Sequence, residues 1–200
     1  MEGSKPKRRE KYEQKSVKLG RALAKLGFSA NAMTALSVIV ALIAGYFLLE
    51  DLLLGLTIFL LAIVMDVFDG AIARATGTAS KYGTLVDRIA DRTVEFILVF
   101  FLALAGYLER RIALLLYFSM ILPSYTRILG EKLFGVSGLS VGLMERKEKL
   151  TLLYLGALLE YFKIPYPLSY FDRLNLFALI VAIGSLITTA QRMKYFSRLS

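Results

Sequence analysis

The sequence predicts an all-α integral membrane protein: a bundle of six spanning helices preceded by an amphipathic helix at the membrane interface. Hydrophobic residues make up 56% of the 200 residues, and the mean hydropathy is +0.59. A soluble domain of this length carries fewer apolar and more charged residues. Several apolar runs reach the roughly 18 residues that indicate a membrane span. The sequence shows no internal repeat and no segment that suggests a second domain, so residues 1–200 are interpreted as one domain.

Residues 10–27 have the pattern of the interfacial helix. Apolar and basic side chains recur at helical spacing on two separate faces. The apolar face holds Tyr12, Leu19, Leu23 and Leu26, and the basic face holds Lys11, Lys15, Lys18, Arg21 and Lys25. A helix with these two faces lies in the plane of the membrane surface. The alternative is a soluble helix packed on a partner.

Six apolar runs follow, joined by short connections. The predicted spans are 32–49, 53–76, 84–107, 111–134, 148–162 and 172–194. The fifth is short, and Pro165 and Pro167 are predicted to end it. Because the connections are brief, neighbouring helices should run antiparallel.

The net charge of +9 admits nucleic acid or anionic lipid as a partner, but its distribution favours membrane topology. Basic residues concentrate in alternate segments: residues 5–25, Arg74 to Lys81, Lys132 to Lys149, and Arg192 to Arg198. Cytoplasmic loops carry such an excess of lysine and arginine. We therefore expect a multi-pass protein of the cell membrane with both termini in the cytoplasm, and no nucleic-acid partner. Residues 66–91 then lie at the cytoplasmic boundary.

Residues 66–91 include four aspartates in or beside apolar runs. Placing a charged carboxylate within the bilayer is energetically unfavourable. Residues three or four apart share one face of a helix. One predicted face in span two holds Asp66, Asp69, Gly70, Ala73 and Arg74, and one in span three holds Gly83, Asp87 and Asp91. A short turn joins the two spans, so we expect the four carboxylates to converge on one cavity.

Clustered carboxylates repel one another unless cations compensate them. The chain has no histidine and no cysteine, so a metal site here would be made of oxygen ligands, which suit Mg²⁺, Mn²⁺ or Ca²⁺. Two ions about 3.5–4 Å apart are one arrangement for such a site. The small residues beside the acids allow either close helix packing or a bound ligand. Arg74 is either an interface arginine or a phosphate ligand.

The pattern Asp66-x2-Asp69-Gly70-x2-Ala73-Arg74-x8-Gly83-x3-Asp87-x3-Asp91 resembles the signature of the CDP-alcohol phosphotransferases. The loop Ala79 to Gly83 is also similar to that family. So is Asn31-Ala32-Met33-Thr34 before span one, although Ala30 stands where the family commonly has proline. The six-span layout with an interfacial helix agrees with the family across most of the chain.

The resemblance implies a membrane transferase that moves a phosphatidyl-type group from a CDP-linked lipid to an acceptor hydroxyl and releases CMP. It implies Mg²⁺ or Mn²⁺, as two ions, and a homodimer. The metal ligands would be Asp66, Asp69 and Asp87, with Asp91 as general base and further ligand. The CDP-lipid would contact Asn31, Thr34, Gly70, Arg74 and Ser80. A different class, the cation-coupled transporter, also uses intramembrane acids, but it more often disperses them near mid-membrane on broken helices.

The acceptor is indicated by a basic cluster nearer the C-terminus. An acceptor phosphate would bind Arg127, Arg146, Lys147, Lys149 and Arg192. The alternative for residues 145–149 is an exposed positive-inside loop. The segment from Ser124 to Lys149 resembles the subgroup that uses inositol phosphate, the phosphatidylinositol and archaetidylinositol phosphate synthases. We therefore expect inositol 1-phosphate, a phosphorylated polyol, as acceptor; glycerol 3-phosphate is the alternative.

Overall fold

The computed structural model describes residues 16–164 and 172–199, and every regular element in those ranges is an α-helix. The helices are α1 (16–25), α2 (Ala30–Leu48), α3 (Leu52–Thr76), α4 (Lys81–Leu104), α5 (Arg110–Phe134), α6 (Arg146–Tyr161) and α7 (Arg173–Phe196). A helix therefore lies at each predicted span, and the all-α class is confirmed. Residues 10–15 of the predicted interfacial helix, and Pro165 and Pro167, lie outside the described residues.

Four helices, α2, α3, α5 and α7, are long and apolar enough to cross a membrane, so the chain is a multi-pass membrane protein. Helix α4 has 24 residues and carries charged side chains from Lys81 as far as Glu95. Helix α6 has 16 residues, or about 24 Å of length at 1.5 Å per residue, less than the roughly 30 Å of a bilayer core. The count of six spans therefore stays a prediction for these two helices.

The described residues form two compact units. The first contains residues up to Phe47 and Leu54–Leu98, and so includes α1, most of α2 and α3, and the first part of α4. The second contains Leu48–Leu53 and the chain from Val99 onward, with the end of α4 and all of α5, α6 and α7.

In the first unit, α1 packs closely against α3 at Gly20. A Cβ atom at this position would collide with the backbone carbonyl of Ala71, so glycine allows the two backbones to approach. Leu19 of α1 and Leu26, directly after it, are exposed, and so are the described basic side chains of α1. Exposed leucines beside basic residues suit a membrane surface, and the interfacial location of α1 stays a prediction.

In the second unit, α7 packs against both α5 and α6. A Cβ at Gly130 of α5 would collide with the ring of Phe196, and Phe134 stacks on the same ring with centroids 5.4 Å apart. A Cβ at Gly156 of α6 would lie 2.6 Å from Cβ of Phe177. Glycines at these contacts let large aromatic side chains fill the space between the helices, as small residues do in membrane bundles.

Candidate active site

Three of the four aspartates lie together in the first unit. Asp66 and Asp69 are on α3 and Asp87 is on α4, and one carboxylate oxygen from each lies within 4.8 Å of the others. Asp69 is buried, with 5% of its surface exposed, and the other two are half-buried. The spacing that places Asp66 and Asp69 on one face of α3 thus directs both toward Asp87. Asp91 stands one helical turn beyond Asp87, outside this group.

The three carboxylates have the chemistry of a divalent cation site. They bring negative charge together in a partly buried place, where charges must be compensated. Carboxylate oxygens are the ligands that hard divalent cations prefer, and three oxygens within 4.8 Å of one another can be shared by one ion. The residues present therefore fit a divalent metal.

Thr34 connects α2 to this group. Its hydroxyl oxygen is 2.5 Å from Oδ2 of Asp69 and 3.1 Å from the Ala30 carbonyl oxygen, so its one hydrogen is donated mainly to the closer carboxylate. The sequence predicts Thr34 as a ligand of the CDP-lipid, whereas its observed partner is the carboxylate. A hydrogen bond to a carboxylate fixes the direction of its oxygens, as partners of metal ligands commonly do. This positioning role was missed because the two residues are 35 apart in sequence.

A cavity of about 200 Å³ opens beside the aspartates. Its wall includes Asp69 and Asp87 together with all the residues predicted to contact the CDP-lipid: Asn31, Thr34, Gly70, Arg74 and Ser80. Further wall residues that the sequence did not single out are Thr78 and Thr84. The structure thus brings the predicted nucleotide-binding residues and two of the predicted metal ligands to one cavity.

The cavity wall includes the first turns of two helices. Ala30 and Asn31 begin α2, and Ser80 immediately precedes α4. Ser80 Oγ accepts a hydrogen bond of 2.9 Å from the Gly83 backbone nitrogen, so Ser80 caps α4. Helix N-termini carry partial positive charge and backbone N–H groups, which favour phosphate. With the guanidinium of Arg74, this end of the cavity suits an anionic group, while the aspartates suit a cation.

Gly70 and Gly83 keep the cavity open. A Cβ at Gly83 would lie 3.2 Å from Ser80 Oγ and 3.7 Å from Asn31 Oδ1, and a Cβ at Gly70 would lie 3.2 Å from Arg74 Nη1. Both added atoms would therefore meet the polar groups of the wall. Neither glycine has a positive φ. The absence of a side chain, rather than an unusual backbone conformation, is therefore the reason why glycine suits these positions.

The substitution Gly83→Ala is expected to weaken binding of the molecule that fills the cavity without lowering stability. The added methyl should raise the KM for that substrate by about tenfold, whereas alanine favours a helix over glycine by up to about 1 kcal/mol. Steady-state kinetics and thermal melting in detergent measure both effects. Tyr82→Ala, at the exposed neighbouring position outside the cavity wall, is the control. An unchanged KM in Gly83→Ala would contradict the assignment of the cavity.

Asp91 has charged neighbours on its own helix. Oδ2 of Asp91 is 3.8 Å from Nη2 of Arg92, and Nη1 of Arg92 is 2.8 Å from Oε2 of Glu95. The Glu95 side chain has no exposed surface. Sequence reasoning missed Glu95, although a carboxylate within the apolar part of α4 is itself a signal, because such a group needs a partner.

The residues predicted to bind the acceptor phosphate lie in the second unit. Arg127 of α5 is half-buried, and its Nε pairs with Glu131 Oε1 at 3.1 Å. Arg146 at the start of α6 is half-buried and Lys147 is exposed. Nε and Nη2 of Arg146 are themselves buried atoms, and cations in partly buried places favour an anionic partner. Their common role as acceptor ligands stays a prediction.

Lys149 and Arg192 donate hydrogen bonds to backbone carbonyls of the protein itself. Both are buried, with exposures of 3% and 4%. Lys149 Nζ donates to the Met120 carbonyl at 3.1 Å, and Arg192 Nη1 donates to the Pro123 carbonyl at 2.6 Å. Both acceptors are backbone carbonyls of α5, at Pro123 and one turn before it. Their observed contacts stabilise α5, in addition to any contact with an acceptor.

The loop between α5 and α6, residues 135–145, is held by side chains of the neighbouring helices. Glu131 accepts from the Leu139 nitrogen at 2.9 Å, and Thr188 accepts from the Met144 nitrogen at 2.9 Å. Arg192 Nε donates to the Val141 carbonyl at 2.8 Å. The loop leads directly into Arg146, so these bonds also fix the start of α6. The role of Thr188 could not be predicted from the sequence, because threonines are common in apolar helices.

Comparison with known proteins shows the family to which the chain belongs. Residues 28–198 match the family described as CDP-alcohol phosphatidyltransferase. An archaetidylinositol phosphate synthase of Pyrococcus horikoshii is 31% identical over 186 residues, which cover 92% of each chain. A phosphatidylinositol phosphate synthase of Mycobacteroides abscessus is 28% identical over 197 residues, covering 92% of this chain and 84% of the relative.

Solved structures share the fold. The phosphatidylinositol phosphate synthase of Mycobacterium tuberculosis, in complex with manganese and citrate, superposes with a TM-score of 0.77 at 24% identity over 91% of this chain and 88% of that one. The same enzyme with CDP-DAG bound gives a TM-score of 0.73 at 25% identity over 90% and 92% of the two chains.

Proposed function

The chain belongs to the CDP-alcohol phosphatidyltransferase family and is a membrane transferase, and from that premise we propose its substrates and the roles of its residues. The proposed reaction transfers the phosphatidyl-type group of a CDP-linked lipid to a hydroxyl of inositol 1-phosphate, with release of CMP. This proposal rests mainly on the cavity of the first unit. Its wall combines Asp69 and Asp87, two of the three clustered carboxylates, with Arg74 and the first turns of two helices.

In the proposed reaction, the acceptor hydroxyl oxygen forms a bond to the lipid-side phosphorus of the CDP-lipid. The bond from that phosphorus to the oxygen bridging the two phosphates breaks, and the bridging oxygen leaves with CMP. The hydroxyl proton passes to the carboxylate of Asp91. General-base catalysis of this kind contributes about 10²- to 10⁴-fold to a rate. Asp91 fits this role because its side chain is 18% exposed and lies one turn from Asp87 on the same helix.

The CDP group is proposed to occupy the cavity of the first unit. Arg74 would bind a phosphate oxygen through its guanidinium, and the first turns of α2 and α4 would face the pyrophosphate. Asn31, Gly70 and Ser80 would complete the contacts with the nucleotide. The M. tuberculosis relative with CDP-DAG bound supports a CDP-lipid as the ligand of this chain.

Asp66, Asp69 and Asp87 are proposed to hold Mg²⁺ or Mn²⁺, as two ions, with Asp91 as a further ligand. The metal would offset the negative charge of the pyrophosphate and the carboxylates as the phosphoryl group is transferred. Thr34 would keep Asp69 in its ligating orientation through the hydrogen bond already described. The manganese complex of the M. tuberculosis relative supports a divalent cation here.

Inositol 1-phosphate is proposed as acceptor on two grounds. The P. horikoshii and M. abscessus relatives are both inositol phosphate lipid synthases. The half-buried Arg127 and Arg146, together with the exposed Lys147, would supply cations for a phosphate on the acceptor. Lys149 and Arg192 would add charge from buried positions. Glycerol 3-phosphate offers the same phosphate and is the second candidate.

The protein is further proposed to be a single domain in the cell membrane, with both termini and the active site on the cytoplasmic side. The basic segments before α2, at the α3–α4 turn and before α6 support this orientation through the positive-inside rule. A homodimer is proposed from the family resemblance. Protease protection of tagged termini in sealed vesicles tests the orientation.

Arg127→Gln is expected to raise the KM for a phosphorylated acceptor by about tenfold or more, because a charge-assisted hydrogen bond to phosphate is lost. The KM for the CDP-lipid should stay within about twofold. Lys132→Gln makes the same change of charge at an exposed position on the same helix and is the control. Equal losses with phosphorylated and unphosphorylated acceptors would show that Arg127 is structural.

An acceptor panel tests the proposed function as a whole. Purified protein receives a CDP-lipid, Mg²⁺ and either inositol 1-phosphate, glycerol 3-phosphate, serine or inositol, and CMP release is measured. The proposal expects the highest kcat/KM with inositol 1-phosphate. A higher value with glycerol 3-phosphate would select the second candidate, and release with neither phosphorylated acceptor would contradict both.

A further inference from the structure

We propose that Glu131 is a positioning residue for recognition of the acceptor. Its carboxylate links the guanidinium of Arg127 to the backbone of the loop 135–145, so that the cations at the end of α5 and at the start of α6 keep a fixed relation. This inference rests on the proposed role of Arg127 and Arg146 as ligands of the acceptor phosphate. It adds an acidic residue to a site that is otherwise predicted from cations alone.

One carboxylate oxygen of Glu131 accepts two hydrogen bonds. Its Oε1 lies 3.1 Å from Nε of Arg127, one helical turn earlier on α5, and 2.9 Å from the backbone nitrogen of Leu139, eight residues later. Both distances are within hydrogen-bond length. An ion pair four residues apart on a helix contributes little by itself. The bond to Leu139 is what extends this pair beyond α5.

The chain turns back toward Glu131 as soon as α5 ends. Gly135 caps the helix with a φ of 65°, and Gly138 has a φ of 76°, a backbone conformation that glycine adopts without strain. Leu139, which follows, is buried, with 7% of its surface exposed. A buried backbone N–H group needs a partner within the protein, and Glu131 provides it. The carboxylate thereby fixes where the first half of the loop lies on α5.

The bond to Glu131 is the first of a series that ends at Arg146. Later in the loop, the backbone nitrogens of Leu143 and Met144 donate to side chains of α7. The last loop residue, Glu145, forms the capping box of α6. The backbone is therefore held by side chains from the end of α5 to the first residue of α6, which is Arg146.

The benefit of the contact for the acceptor is preorganisation. The Arg127 side chain is 34% exposed, and a long side chain loses conformational entropy when a ligand orders it. The bond at Nε orders the guanidinium before the acceptor arrives. Arg192 lies within electrostatic range of both residues and repels Arg127, and the Glu131 carboxylate offsets that repulsion. Glu131 thus acts through Arg127, without itself touching the acceptor.

The first test is a double-mutant cycle of Glu131→Gln and Arg127→Gln, assayed with a CDP-lipid and inositol 1-phosphate. Glutamine can still accept from the Leu139 nitrogen but lacks the charge that holds Arg127. We expect Glu131→Gln to raise the KM for inositol 1-phosphate about fivefold, with the KM for the CDP-lipid within about twofold. The double variant should have a KM within about twofold of that of Arg127→Gln alone. Glu50→Gln, at an exposed site, is the matched control.

Hydrogen exchange of the loop tests the second contact without any turnover. Glu131→Ala removes the acceptor of the Leu139 nitrogen, so this amide should exchange about tenfold faster or more. Glu131→Gln keeps an acceptor oxygen and should exchange at the wild-type rate. Because the alanine variant also loosens the loop that leads to Arg146, its KM for inositol 1-phosphate should exceed that of Glu131→Gln.

Two kinetic results would overturn the proposal: a wild-type KM in Glu131→Gln while Arg127→Gln raises it, or increases in KM that multiply in the double variant. A wild-type exchange rate in Glu131→Ala would refute the link to the loop. Misfolding cannot imitate the expected result, since KM does not depend on the folded fraction. If Arg127→Gln leaves the KM unchanged, or wild-type protein releases no CMP, the proposed function fails first and the proposal falls with it.

Discussion

Replacing Asp69 with asparagine should lower the rate of CMP release by about a thousandfold or more. Asp69 is the most buried of the three clustered carboxylates, and its orientation is fixed by Thr34. Asparagine keeps the shape and can still accept the threonine hydrogen bond, but it removes the negative charge that a divalent cation requires. The lower rate of CMP release should therefore result from weaker metal binding rather than from misfolding.

Thermal melting with and without metal distinguishes these two effects. Wild-type protein should be stabilised by Mg²⁺ or Mn²⁺, since a ligand that binds the folded state raises its stability. Asp69→Asn should melt without metal at or above the wild-type temperature, because repulsion by Asp66 and Asp87 is relieved, and should gain little from added metal. Glu50→Gln removes an exposed carboxylate and should behave as wild type. Full metal stabilisation of Asp69→Asn would refute the proposed ligand set.

Asp91→Asn should reduce kcat by about 10²- to 10⁴-fold, the range for loss of a general base. The dissociation constant of the CDP-lipid should stay within about twofold, because the cavity wall does not include Asp91. Direct binding of a labelled CDP-lipid to the purified variant measures this. Residual stabilisation by Mg²⁺ should also remain, since Asp91 lies outside the group of clustered carboxylates.

The same experiment separates the two roles proposed for Asp91. Complete loss of metal stabilisation in Asp91→Asn would make this residue chiefly a ligand. Near-normal turnover would remove it as the base. Loss of turnover with lipid binding and metal stabilisation retained agrees with a proton acceptor beside the metal site.

The helices and the aspartate group followed from local patterns. Apolar runs predicted where α2 to α7 lie, because the hydrophobic length of a span is a property of consecutive residues. Likewise, a spacing of three placed Asp66 and Asp69 on one face of α3, and the short turn after Thr76 brought Asp87 to them. Such features depend on helical geometry alone.

Features that depend on tertiary packing were not predictable in this way. The hydrogen bond from Thr34 to Asp69 joins two helices, and no periodicity relates the two positions. Lys149 and Arg192 are predicted as phosphate ligands because of the cations near them in sequence, and that role stays a prediction. Their burial and their bonds to carbonyls of α5 depend on how α6 and α7 pack on that helix. Glu95 could have been noticed as a carboxylate beside an apolar run, but its pairing with Arg92 required the side-chain geometry.

The most direct test of the central claim is to follow the lipid-side phosphate. A CDP-lipid carrying ³²P in the phosphate next to the lipid is incubated with the protein, Mg²⁺ and inositol 1-phosphate, and the products are separated. The label should move into a new lipid that also contains the inositol phosphate, while the released CMP is unlabelled. Label in the released nucleotide, or no transfer in wild-type protein that binds CDP-lipid and metal, would contradict the proposed transfer.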